Sequence, residues 1–73
     1  MTKVQVYVRL LDEGTGVMRP AEAESPGEGL YRLTQCPGYD PHDETWEFAP
    51  GSVVRCENKQ DARGEYLLAI KRV

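Results

Sequence analysis

The chain is poor in the residues that most chemistry needs. It has one histidine, one tryptophan, one phenylalanine and two cysteines among 73 residues. With a single histidine there is no His pair, and Cys36 and Cys56 form no Cys-x-x-Cys spacing, so the familiar zinc-site patterns are absent. No apolar run approaches the roughly 20 residues that a helix needs to cross a bilayer. The longest is Tyr66-Leu67-Leu68-Ala69-Ile70. The residues after Met1 alternate polar and apolar, Thr2-Lys3-Val4-Gln5-Val6, where a secretory signal would build a continuous apolar core. A cytoplasmic location without a membrane segment is the expectation, with the cysteines as free thiols, although a Cys36–Cys56 bridge stays open. Basic excess is missing too. Nine basic against twelve acidic residues leave a net charge of −3, which argues against an electrostatic footprint for nucleic acid.

What is present is the period of β-strands. Val4, Val6, Val8 and Leu10 fall on one face of an extended run, while Lys3, Gln5, Tyr7 and Arg9 fall on the other. Asp12-Glu13-Gly14-Thr15-Gly16 reads as a turn, and an extended run follows from Val17 to Glu24. Pro20 within it has no N–H, which predicts an edge position or a bulge. Ser25-Pro26-Gly27-Glu28-Gly29 reads as another turn, leading to a strand over Leu30–Thr34. Residues 35–45 carry two prolines and a glycine and read as irregular. Trp46-Glu47-Phe48 alternates again, with both aromatics on one face. Pro50-Gly51 marks a tight turn, Ser52–Glu57 a strand, Asn58–Gly64 a loop, and Glu65–Lys71 the last strand. Nowhere do apolar residues recur with helical spacing over three turns.

Five or six short strands separated by turns predict one all-β domain: a small Src-homology-3-like barrel of antiparallel strands spanning residues 1–73. Closure removes the exposed edges that so small a sheet would otherwise present. An open sheet that dimerises through an edge is the second expectation.

Two resemblances accompany this pattern. The stretch Tyr39-Asp40-Pro41-His42-Asp43-Glu44-Thr45-Trp46-Glu47-Phe48-Ala49-Pro50-Gly51-Ser52-Val53-Val54 resembles the acidic-loop and diverging-turn segment of Src-homology-3 domains. It implies a small barrel. The paired tryptophans of that family's proline-rich-peptide groove have no counterpart, since Trp46 stands alone. The whole chain resembles short bacterial proteins of small-barrel type, through Val8-Arg9-Leu10-Leu11-Asp12-Glu13-Gly14 and Arg19-Pro20. That likeness implies a fold and no activity.

Catalysis has thin material. A cysteine nucleophile needs a base beside it, and the one pairing on offer is Cys36 with His42, six residues away. Asp43 and Glu47 could share acid–base work only in a cleft that a barrel this small has little room to enclose. Cys36, Asp40, His42, Asp43, Glu44 and Cys56 are donors of the right type for a metal, at spacings that match no known site. Gly14-Thr15-Gly16 lacks the lysine of a phosphate loop. The reading is therefore no enzyme, no cofactor and no metal.

A non-catalytic protein-interaction, adaptor or regulatory module is the expected function. Its candidate site is Tyr39, Asp40, Asp43, Glu44 and Trp46, where aromatics beside carboxylates would suit a protein partner with a basic segment. The competing expectation for the same aromatics is core: Trp46 and Phe48 plugging one end of the barrel, with Tyr39 under the loop. The alternative function is an RNA- or single-stranded nucleic-acid-binding barrel using Tyr7, Arg9, Arg32 and Arg55. A homodimer is compatible with either.

Overall fold

The computed structural model describes residues 3–11, 17–27, 29–36, 39–40, 42 and 45–73. Five strands follow in order: β1 Lys3–Arg9, β2 Met18–Gly27, β3 Leu30–Gln35, β4 Val53–Asp61 and β5 Gly64–Arg72. They form a closed barrel in sequence order, β1-β2-β3-β4-β5, and no helix occurs among the described residues. Four interfaces are antiparallel, as the sequence leads one to expect. The fifth is parallel, joining β1 to β5 at Tyr7 and Leu68. An odd-numbered meander requires this, because the first and fifth strands of an alternating series run the same way.

The alternation read from β1 becomes the core. Val6, Val8 and Leu10 are buried and Val4 packs against them, while Lys3, Gln5 and Arg9 face outward. Ala21 and Ala23 from β2, Leu33 from β3, Val54 from β4 and Ala69 from β5 complete the lining. The two alanines on β2 keep that wall thin, which lets the large residues of the opposite strands meet inside a small barrel. No polar or charged side chain is buried among the described residues.

Pro20 and Pro26 sit where the ladder can spare an N–H. Leu10 donates to the Val17 carbonyl at 2.9 Å, and counting from that bond places Tyr7 and Pro20 in a non-hydrogen-bonded pair. The missing donor of Pro20 thus faces the β3 side, where β3 pairing begins only at Glu22. Pro26 falls in the register shift between Glu24 and Gly27. The predicted turn over 25–29 is thereby shortened, because β2 runs on through a bulge to Gly27. The Asp12–Gly16 turn lies outside the described residues.

The long β3–β4 connection supplies the plug. Trp46 bridges Leu10, Glu47 donates its N–H to the Arg9 carbonyl at 2.9 Å, and Leu11 donates to the Thr45 carbonyl at 2.8 Å. This segment occupies the edge of β1 beyond the point where β5 leaves it. Trp46 and Phe48, 7% and 8% exposed, close that end of the barrel, as the core reading predicts. The sixth strand reduces to this one bridge. The chain then turns at Ala49–Ser52, where the Ser52 N–H donates to the Ala49 carbonyl at 3.1 Å and Gly51 adopts φ 91°. Positive φ after Pro50 is the signature of a type II turn.

The predicted loop over Asn58–Gly64 is a correction. Asn58 to Asp61 continue β4, and the turn is only Ala62-Arg63, with the Asp61 carboxylate accepting the Arg63 N–H at 2.8 Å. Gly64 follows at φ 123°, a conformation that costs an L-residue strain. The strand escaped detection because Glu57–Asp61 is polar on both faces.

Replacing Trp46 with alanine removes the plug, at a cost of about 3–5 kcal/mol. Urea denaturation is expected to show the Trp46→Ala protein largely unfolded and Trp46→Phe retaining most of the stability. An unchanged midpoint for Trp46→Ala would refute the plugging role.

Candidate interaction surface

Of the sequence-derived acidic site, Tyr39, Asp40 and Trp46 are among the described residues. Trp46 is buried, and the Tyr39 ring meets it edge to face, with centroids 5.3 Å apart and planes at 83°. Each aromatic thus spends a face on the other and on the core. Asp40 is exposed, and its carboxylate accepts the His42 N–H at 2.9 Å, holding the loop locally. Asp43 and Glu44 lie outside the described residues.

The four residues of the nucleic-acid alternative separate into two groups. Tyr7 and Arg9 lie on the outside of β1, whereas Arg32 and Arg55 lie on β3 and β4. Arg9 forks onto Glu47, with Nε to Oε1 at 3.1 Å and Nη2 to Oε2 at 3.4 Å. Arg32 reaches Glu24 at 3.4 Å. Both pairs are exposed, so their guanidinium charges are partly neutralised without adding much stability. On the far wall the register sets Arg55 directly opposite Lys71, a like-charged cross-strand pair.

A groove that the sequence did not announce forms on the outer face of β1 and β5. Tyr7 and Tyr66 pack edge to face, centroids 5.4 Å apart at 73°, and Gln5 Nε2 donates to the Tyr7 hydroxyl at 3.4 Å. Met18 and the Asp61–Glu65 hairpin tip complete a cavity of about 270 Å³. Along its rim Asp61 is engaged by Arg63 at 3.6 Å, and Glu65 has no ion pair among the described residues. The floor is therefore aromatic and sulfur-bearing, and the rim carries a carboxylate free to take a cation. A depression of about 310 Å³ beside Lys3, Pro20 and Glu22 has no aromatic floor.

Tyr66 went unrecognised because its run, Tyr66 to Ile70, is apolar on both faces, and alternation cannot say which side is inside. The signal available was the run itself. A strand apolar on both faces has something covering its outer side. Leu68, buried yet separate from the core cluster, shares the face of Tyr66 by the same alternation.

Neither cysteine is arranged for nucleophilic work. Both thiols are free and half-buried. Burial pushes the Cys36 thiol up, and pushes Cys56 from an ordinary value of 9.0 to about 11. A nucleophilic cysteine needs the opposite shift. Among the described residues no three His, Cys, Asp or Glu side chains gather as a metal-binding group, and no helix is long and apolar enough to cross a membrane. Compared with protein-family models, curated proteins and solved structures, the chain shows no match to any of the three, so likeness supplies no function.

The thiol shifts have a pH consequence. Between pH 9 and 11 the unfolded chain releases the Cys56 proton while the folded chain keeps it. Stability from this group is complete below about pH 9 and is lost as pH rises through about 11. Alkylation of Cys56 in the native protein is expected to run slower at pH 8 than in an unstructured peptide and to accelerate toward pH 11. A native rate equal to the peptide's at pH 8 would contradict the burial.

Proposed function

We propose that this chain is a non-catalytic protein-interaction module, of adaptor or regulatory type, that holds a partner segment in the groove between Tyr7 and Tyr66. The observation that carries the reading is the combination, in one cavity, of a paired aromatic floor and the Glu65 carboxylate, which has no ion pair among the described residues. Aromatic side chains anchor interfaces because they bury large area at small entropic cost. A tyrosine face beside a carboxylate suits a lysine or arginine whose aliphatic stem lies on the ring. The partner is thus a protein with a basic segment, as expected from the sequence, received here and not at Tyr39 and Trp46. A bacterial origin and a cytoplasmic setting belong to the same proposal.

A second reading, single-stranded RNA or DNA on the opposite wall, is favoured by one observation. Arg32, Arg55 and Lys71 stand on three adjacent strands, with Arg55 directly opposite Lys71. Retention on a poly-uridine column at low salt would support it, and passage through the column would end it.

An array of peptides carrying Lys or Arg beside apolar residues tests the main reading. Tyr66→Ser and Glu65→Arg are each expected to weaken the bound peptides about tenfold or more, equivalent to about 1.4 kcal/mol. Equal binding by both variants and the native protein would remove the groove from consideration.

A further inference from the structure

Among the described residues, the second part of β4 leaves a strand edge unpaired. β3 pairs with β4 from Leu30 to Arg32 against Val53 to Arg55, so among the described residues Cys56–Asp61 has a ladder partner on the β5 side alone. Val73 donates its N–H to the Val53 carbonyl on one side of the register shift between Arg55 and Cys56, and Asp61 and Gly64 close a two-residue turn as a hydrogen-bonded pair on the other, so the odd-numbered residues of β4 bond to β5 on both sides of the shift. By alternation, the N–H and C=O of Cys56, Asn58 and Gln60 point to the open side. Arg55, Glu57, Lys59 and Asp61 share the outer face and alternate in sign, plus, minus, plus, minus.

We propose that two copies of this chain pair antiparallel through this edge of β4, about a two-fold axis at Asn58. In that register Cys56 pairs with Gln60 of the second copy, Asn58 with Asn58, and Gln60 with Cys56. These three pairs exchange about six backbone hydrogen bonds. Glu57 and Lys59 of one copy fall opposite Lys59 and Glu57 of the other, in the non-hydrogen-bonded positions where side chains approach most closely. Arg55 comes within reach of Asp61 of the second copy at each end of the ladder.

The neighbouring registers fail on charge. Centred on Lys59, the pairing opposes Lys59 to itself and Glu57 to Asp61. Centred on Glu57, it opposes Glu57 to itself and Arg55 to Lys59. A further shift of the centre toward Cys56 runs into the stretch that β3 already holds, and a shift toward Gln60 runs off the end of the strand. The charge sequence therefore selects one register of one occupant, a second copy. The Lys59–Glu57 pair within each chain, 2.9 Å long, lies on this surface and exchanges partners on assembly. The surface is distinct from the Tyr7–Tyr66 groove, and the inference does not rest on the peptide-binding reading.

Sedimentation equilibrium of the full chain across a wide concentration range tests the proposal, with circular dichroism confirming the fold of each variant. The native protein is expected to dimerise as concentration rises. Glu57→Lys, which opposes like charges twice, is expected to raise the dimer dissociation constant about tenfold or more, and Glu57→Lys/Lys59→Glu to restore it. Asn58→Pro removes the central donor on the open side, where a strand tolerates proline, and is expected to give a folded monomer. A native protein monomeric at every concentration would overturn the proposal. So would a dimer indifferent to Glu57→Lys, one not rescued by the double exchange, or one that survives Asn58→Pro.

Discussion

Five strands joined in a meander can close only by setting the first beside the fifth in parallel, and among the described residues that seam amounts to one residue pair, Tyr7 with Leu68. Parallel pairing is slightly weaker per residue than antiparallel, and here it is also short. The rest of the molecule is organised around making so brief a seam sufficient. Beyond it the edge of β1 passes to the Thr45–Glu47 segment, whose backbone bonds to Arg9 and Leu11 carry the ladder onward. That same segment turns Trp46 inward to fill the barrel's end. The seam is also covered from outside by Tyr7 and Tyr66, whose edge-to-face packing spans the two strands it joins. The candidate groove is thus a by-product of closure: the aromatics that cover the seam form its floor.

The sequence disclosed those parts of this arrangement that bury one face and expose the other. Val4 to Leu10 and Trp46 to Phe48 alternate because each has a wet side and a dry side, and both were legible as strand-like with the correct residues inward. Two kinds of residue escaped. Glu57–Asp61 is wet on both faces, so its extended conformation leaves no hydrophobic trace and is held by cross-strand bonds to β5 and a two-residue turn. Tyr66–Ile70 is apolar on both faces, so alternation gives no facing, and Tyr66 could not be matched with Tyr7. Whether Trp46 was core or surface could not be read from spacing either. It depends on a bridge to Leu10, thirty-six residues away.

The candidate sites fared according to the same logic. Of the local cluster in sequence, Tyr39 and Trp46 pack edge to face, with Trp46 buried. The groove brings together residues from β1, β2 and both sides of the β4–β5 turn, and no local pattern announces such a union. Tyr7 and Arg9 on β1 stand apart from Arg32 and Arg55 on β3 and β4. A barrel wall curves, and outward residues on opposite strands diverge, so Arg9 and Arg55 occupy different sides.

The brief seam and the open edge of β4 have a common origin. The β4–β5 hairpin is longer than the barrel needs, since β3 covers only the first third of β4. A shorter hairpin would leave no edge, and it would also lose Tyr66, which pairs with Lys59 in the extended part. The aromatic cover of the seam therefore requires the ribbon, and the ribbon exposes unpaired backbone. Exposed edges are ordinarily blunted by charge, and from Arg55 to Asp61 β4 carries charge at every outer position. Charges of one sign would have repelled any copy in any register. The alternating signs along Arg55, Glu57, Lys59 and Asp61 instead repel in the registers centred on Glu57 and Lys59 and attract in the one centred on Asn58, which turns a protected edge into a selective one.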